Sequence, residues 1–156
     1  MAERHGLLDM TKDVLVTIQG LHFEEDVSDE ELEQVETICP GEYYLRNQGH
    51  YVLFQEMVEG FAEPVKTMIK LKNKELTLTR KGPVNVQMVF TEGKKTMTDY
   101  MTPFGNILLG LDTSQMEIEE TEDKMKIHIK YVLEANYQYV SDCQIHIEIS
   151  SVQKTE

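Results

Sequence analysis

The chain has 156 residues, 40% apolar and 28% charged, which is globular rather than disordered composition. Twenty-eight acids against fifteen bases give a formal net charge of −13, which repels phosphate backbones and anionic lipid and argues against nucleic-acid or membrane partners. The length suits a single domain, residues 1–156 with a core over 12–150, large enough to fold without disulfides or metals.

The first ten residues carry no long apolar run and no cleavage site, so no signal peptide is expected, and no later stretch approaches the length of a membrane span. A cytoplasmic protein follows by elimination. Cys39 and Cys143 fit that compartment. They lie far apart, have no C-x-x-C spacing and read as free, reduced thiols rather than zinc ligands.

The first strand spans Val14 to Phe23. Residues 24–36 break the pattern, with eight acids and no base. Ser28 and Glu31 form a capping box that would open a short helix, and a polar strand from Leu32 is an equal alternative. A calcium loop is rejected here, because Glu31 stands where the loop requires Gly and Thr37 where it requires a bidentate Glu.

Two strands, Glu42 to Arg46 and Tyr51 to Met57, flank a turn at Asn47-Gln48-Gly49. Thr67, Ile69 and Leu71 alternate with lysines until Asn73-Lys74 reverses the chain. Leu76 and Leu78 then alternate with threonines. Gly82-Pro83 turns the chain again before Val84 to Phe90, and Glu92-Gly93 is a hairpin signal. Lys95 to Thr102 and Asn106 to Thr113 follow. Met125 to Leu133 and Cys143 to Ile149 each carry one apolar face and make a last hairpin around Asn136-Tyr137.

Short loops force sequence neighbours to pair in space, which makes an up-and-down antiparallel meander of about 8–10 strands. Curling until the first and last strands meet removes two exposed edges. The predicted fold is therefore an all-β up-and-down barrel, with a two-sheet sandwich as the alternative.

Four stretches carry a resemblance. They are Lys-Asp-Val-Leu-Val-Thr-Ile-Gln-Gly at 12–20, Gly-Glu-Tyr-Tyr at 41–44, Arg-Lys-Gly-Pro-Val-Asn-Val-Gln-Met-Val-Phe at 80–90 and Thr-Pro-Phe-Gly at 102–105. The chain resembles the YwiB-like family of small, uncharacterised bacterial proteins over about residues 12–150, most specifically at Arg80, Gly82, Gln87, Met88 and Phe90. The resemblance implies a calycin-like, lipocalin-like barrel. It brings no activity, substrate, cofactor or catalytic residue. The chain has no Trp, so it lacks the Gly-x-Trp opening of true lipocalins, and ligand carriage stays an analogy.

Strand parity nominates one site. Arg80 continues the phase of Leu76 and Leu78, and Glu56 that of Val52 and Phe54, so both turn inward. The strands ending at Met57, Lys81 and Thr102 run the same way and share one mouth. Glu56 and Arg80 then stand two strands apart, about 9–10 Å, a gap two extended side chains close. Tyr100 and Thr102 end the third strand at that mouth, and Asn85 begins the strand that leaves it. Arg80, Glu56, Tyr100, Asn85 and Thr102 are thus the candidate small-molecule-binding residues. The competing reading is an arginine that plugs the barrel end.

His128 and His146 are cross-strand neighbours if the last turn centres near Tyr137. With no third ligand fixed by spacing, no metal site is expected, and they read as solvent-facing. Tyr43, Tyr44 and Tyr51 read as cross-strand packing. No nucleophile elbow and no Gly-rich phosphate loop occurs, and Cys143 has no assignable base, so catalysis is not expected. The functional expectation is a small-molecule-binding barrel. The alternatives are an interaction or homodimerisation module and an enzyme of unknown class; Met57, Met68, Met88, Met97, Met101 and Met116 are scattered among the strands, and those on outward phases, Met68 the best example, would form an adaptable apolar patch.

Overall fold

A computed structural model describes residues 12–20, 36–57 and 60–152. They form ten strands: β1 (Lys12–Gln19), β2 (Glu36–Arg46), β3 (Gly49–Glu56), β4 (Val65–Lys72), β5 (Glu75–Lys81), β6 (Val86–Thr91), β7 (Lys95–Thr102), β8 (Gly105–Glu120), β9 (Lys124–Ala135) and β10 (Gln138–Ser151). All belong to one antiparallel sheet in the order β6-β5-β4-β3-β2-β1-β10-β9-β8-β7. There is no helix among the described residues, and so none long and apolar enough to cross a membrane.

The first and last strands meet as expected, with Val14 opposite Ser151 and Ile18 opposite Ile147. The meander's turns are chemically specified. Asn47-Gln48, Asn73-Lys74 and Asn136-Tyr137 each place both residues at positive φ, the two-residue geometry whose twist matches that of the flanking strands. Gly82 sits at φ +136°, and a Cβ there would stand 2.9 Å from the Pro64 carbonyl oxygen. The turn after β5 therefore depends on glycine.

One junction stays nearly, not fully, closed. β6 and β7 meet through the isolated Asn85–Met101 bridge, with N–H···O distances of 2.9 and 2.8 Å. The Thr96 hydroxyl donates to the Val89 carbonyl at 2.6 Å. The Glu92-Gly93 turn forms, but β8 captures its tip: Gly93 N–H donates to the Thr113 carbonyl and Thr113 N–H to that of Lys94. Closing the sheet thus leaves a seam between the strands at the ends of its order.

Several boundaries differ from the sequence reading. β1 ends at Gln19, where Gly20 bends at φ +88°, and residues 21–23 lie outside the described residues. The Ser28–Glu31 capping box falls outside them too, as does the rejected calcium loop up to residue 35, whereas Glu36 and Thr37 open β2. β2 begins at Glu36, not Glu42. β8 runs to Glu120 and β10 from Gln138, because bulges at Thr113/Gln115 and Tyr139/Ser141 insert an extra residue. The first bulge resets β8's inward set from Leu109, Leu111 and Thr113 to Met116. A two-residue count stops at such a point.

The interior holds Val16, Ile69, Leu76, Leu78, Met88, Phe90, Leu111, Ile129, Tyr131 and Ile145, all essentially without solvent contact. Such burial stabilises by about 1.5–3 kcal/mol per large side chain. Met88 and Met116 belong to this core, whereas Met57, Met97 and Met101 are exposed. The six methionines therefore make no single surface.

Candidate functional site

Among the described residues, four polar side chains are buried among these apolar ones: Glu56, Thr67, Arg80 and Thr113. Three of them gather at one end. The Arg80 Nη2 donates to Glu56 Oε2 at 2.6 Å, with the two side chains 8% and 5% exposed. The two residues belong to β5 and β3. The intervening β4 sets Thr67 directly across the ladder from Arg80 and Val65 across from Glu56. Thr67 Oγ1 and Arg80 Nε are buried without a hydrogen-bond partner. Cys39 belongs to this end as well: burial raises its thiol pKa, and the nearby Glu56 carboxylate raises it further.

Asn85 and Thr102 bond within their own turns instead. Asn85 is exposed, and its carboxamide is spent on Gly82, donating to that carbonyl at 3.1 Å. It follows the Gly82-Pro83 turn, where an Asx side chain satisfies its own backbone. Thr102 holds the β7–β8 turn: its hydroxyl donates to the Gly105 carbonyl at 2.8 Å and accepts from Phe104 N–H at 3.1 Å. Tyr100 packs partly buried against the core.

A second buried polar pair joins a residue on the apolar face of β9 to one on β8. Tyr131 on β9 faces Thr113 on β8 across the ladder, and both hydroxyls are buried without a hydrogen bond of ordinary geometry. Phe90 packs edge-on to the Tyr131 ring at 5.0 Å. Burial, with the Cys143 thiol beside it, pushes the Tyr131 hydroxyl well above the ordinary tyrosine range. Thr113 sits at the β8 bulge, so nothing in the local sequence marks either group as special.

At the opposite mouth, the Tyr43 hydroxyl and His50 Nδ1 are 2.8 Å apart, and His50 Nε2 lies 3.9 Å from Glu120 Oε1. Burial and Glu120 raise the Tyr43 hydroxyl, so it stays a protonated donor rather than a nucleophile. Tyr44 and Tyr51 stack at 4.9 Å on the outer face, as cross-strand packing predicts.

His128 and His146 are direct cross-strand partners, their rings stacked 4.1 Å apart and 10° from parallel. His128 Nε2 and Gln144 Oε1 are 2.8 Å apart. The pair lines an outward cleft of about 300 Å³ together with Gln19, Glu36, Glu117 and Glu119. Among the described residues, no three His, Cys, Asp or Glu side chains converge closely enough to hold a metal ion.

These features define a class: ten-stranded, nearly closed antiparallel β-barrels with an apolar interior and a buried ion pair at one mouth. Residues 16–147 match the family described as a domain of unknown function, DUF1934, and the chain belongs to that family. It is similar to a protein of Bacillus subtilis (strain 168) described as the uncharacterized beta-barrel protein YwiB. The two are 27% identical over 138 residues, covering 88% of this chain and 91% of that one. The crystal structure of the Bacillus subtilis ywiB protein superposes with a TM-score of 0.74 at 21% identity, over 92% of this chain and 94% of that one. That likeness establishes the fold.

Proposed function

We propose that this barrel is a cytoplasmic small-molecule-binding protein that performs no chemistry, with its ligand held at the mouth where Glu56, Arg80 and Thr67 meet. The observation that carries this reading is the pair of unpartnered buried atoms, Arg80 Nε and Thr67 Oγ1. Leaving such a group unsatisfied costs about 1–3 kcal/mol, and a hydrogen-bonding ligand would offset that. Glu56 already neutralises the guanidinium. The favoured ligand is therefore uncharged, with a carbonyl or hydroxyl to accept from Nε and an apolar body to meet the core. Cys39 and Cys143, neither of them in a disulfide, fit a reducing compartment.

A thermal-shift screen of small carbonyl- and hydroxyl-bearing metabolites tests the proposal. At least one compound is expected to raise the melting temperature, and Thr67→Val to abolish its effect while leaving the fold intact. No stabilising compound, or one indifferent to Thr67→Val, would show that Arg80 is a structural plug.

A second reading is self-association through the β7–β8 hairpin tip, where Phe104 is 94% exposed beside exposed Met101 and Ile107. Sedimentation equilibrium decides it: a homodimer that Phe104→Ser dissociates supports it, and a monomer at all concentrations removes it.

A further inference from the structure

The outer face of a barrel is ordinarily convex, yet outward side chains from five successive strands here enclose the cleft of about 300 Å³ described above. That volume is at the lower end of small-ligand sites. Register explains its composition. Glu36, Gln19, His146, His128 and Glu117 follow one another across β2, β1, β10, β9 and β8 as a single cross-strand row. The adjacent row carries Thr17, Glu148, Lys126 and Glu119.

The charge of the cleft is unbalanced. Glu148 has Lys124 at 3.5 Å, but Glu36, Glu117 and Glu119 form no ion pair among the described residues. Lys126 is the one lysine or arginine in the lining. The middle of the lining is different in kind, since the His128 and His146 imidazoles stack on each other there. Carboxylates on both sides of an imidazole pair suit a ligand with spread N–H donors and a short alkyl body. They suit a bare metal ion poorly, because the ligating groups do not converge.

We propose that this cleft binds a compact organic cation, a primary amine or guanidinium, with Glu117 and Glu119 taking the charge and the His128–His146 stack packing against the alkyl part. The site is separate from the barrel mouth, and its occupancy does not depend on the interior reading.

Calorimetric titration of the full chain with putrescine and with agmatine tests this, with magnesium and zinc chlorides as comparators. Saturable binding of at least one amine is expected, weakened by about tenfold or more in Glu117→Gln/Glu119→Gln, one unit of pKd being about 1.4 kcal/mol. Glu42→Gln/Glu63→Gln removes the same charge elsewhere and is expected to keep the affinity. Both variants should melt with the parent, and the His128 and His146 ring resonances should move on binding. No saturable amine binding, equal weakening in both variants, or binding of the metal ions alone overturns the proposal.

Discussion

Thr67 stands directly across the β4–β5 ladder from Arg80, beneath an ion pair that reaches over β4 to Glu56. The guanidinium is therefore satisfied on its Nη2 side and unsatisfied at Nε. The arrangement follows from burial. At 8% and 5% side-chain exposure, neither charge could persist alone in an aliphatic interior.

Removing one partner should cost more than removing both. Arg80→Ala leaves the Glu56 carboxylate buried and unpaired, with an expected loss of about 3–5 kcal/mol. Glu56→Leu combined with Arg80→Met should be near neutral, because two matched apolar side chains avoid the desolvation penalty. Urea unfolding of the three proteins measures both values. A single variant as stable as the parent would mean that the pair is not held in a dry interior.

Stability should fall at high pH through Tyr131. Its hydroxyl is raised well above the ordinary value of 10.0 by burial, so the folded protein holds that proton where the unfolded chain releases it. The contribution is complete below about pH 10 and declines as pH rises from there toward the folded value. Tyr131→Phe should flatten this decline, with little cost at pH 7 because the hydroxyl makes no hydrogen bond of ordinary geometry. Urea midpoints from pH 7 to 11 provide the check. An unchanged slope in the variant would exclude Tyr131 as the source.

The seam should be the least protected part of the sheet. β9 is flanked along its length by β8 and β10, whereas β7 has a ladder only to β8 and meets β6 at the Asn85–Met101 bridge. In hydrogen exchange, β7 amides turned away from β8, apart from Met101 at the bridge, should exchange orders of magnitude faster than that of Ile129. Equal protection would indicate a continuous ladder between β6 and β7.

Much of this architecture was legible one residue at a time. The inward set of β4 and β5 was readable because nothing interrupts the alternation between Thr67 and Arg80, so Arg80 was placed inside and Glu56 likewise. Asn85 was grouped with them from its position at the mouth, but its short carboxamide found Gly82 first. Tyr131 reads as part of the apolar face of its strand, but its pairing with Thr113 is a cross-strand register that alternation along one strand does not give.

Composition, turn residues and alternation determined that this chain makes hairpins, how many, and which side chains turn inward, because those properties depend on neighbours two to ten positions away. Where the sheet closes, which strands bulge and what meets across the barrel were decided only by the tertiary structure. The Glu56–Arg80 contact spans 24 positions and the pairing of Val14 with Ser151 spans nearly the whole chain. Contacts at such separations are set by the curvature of the assembled sheet, which no local window contains.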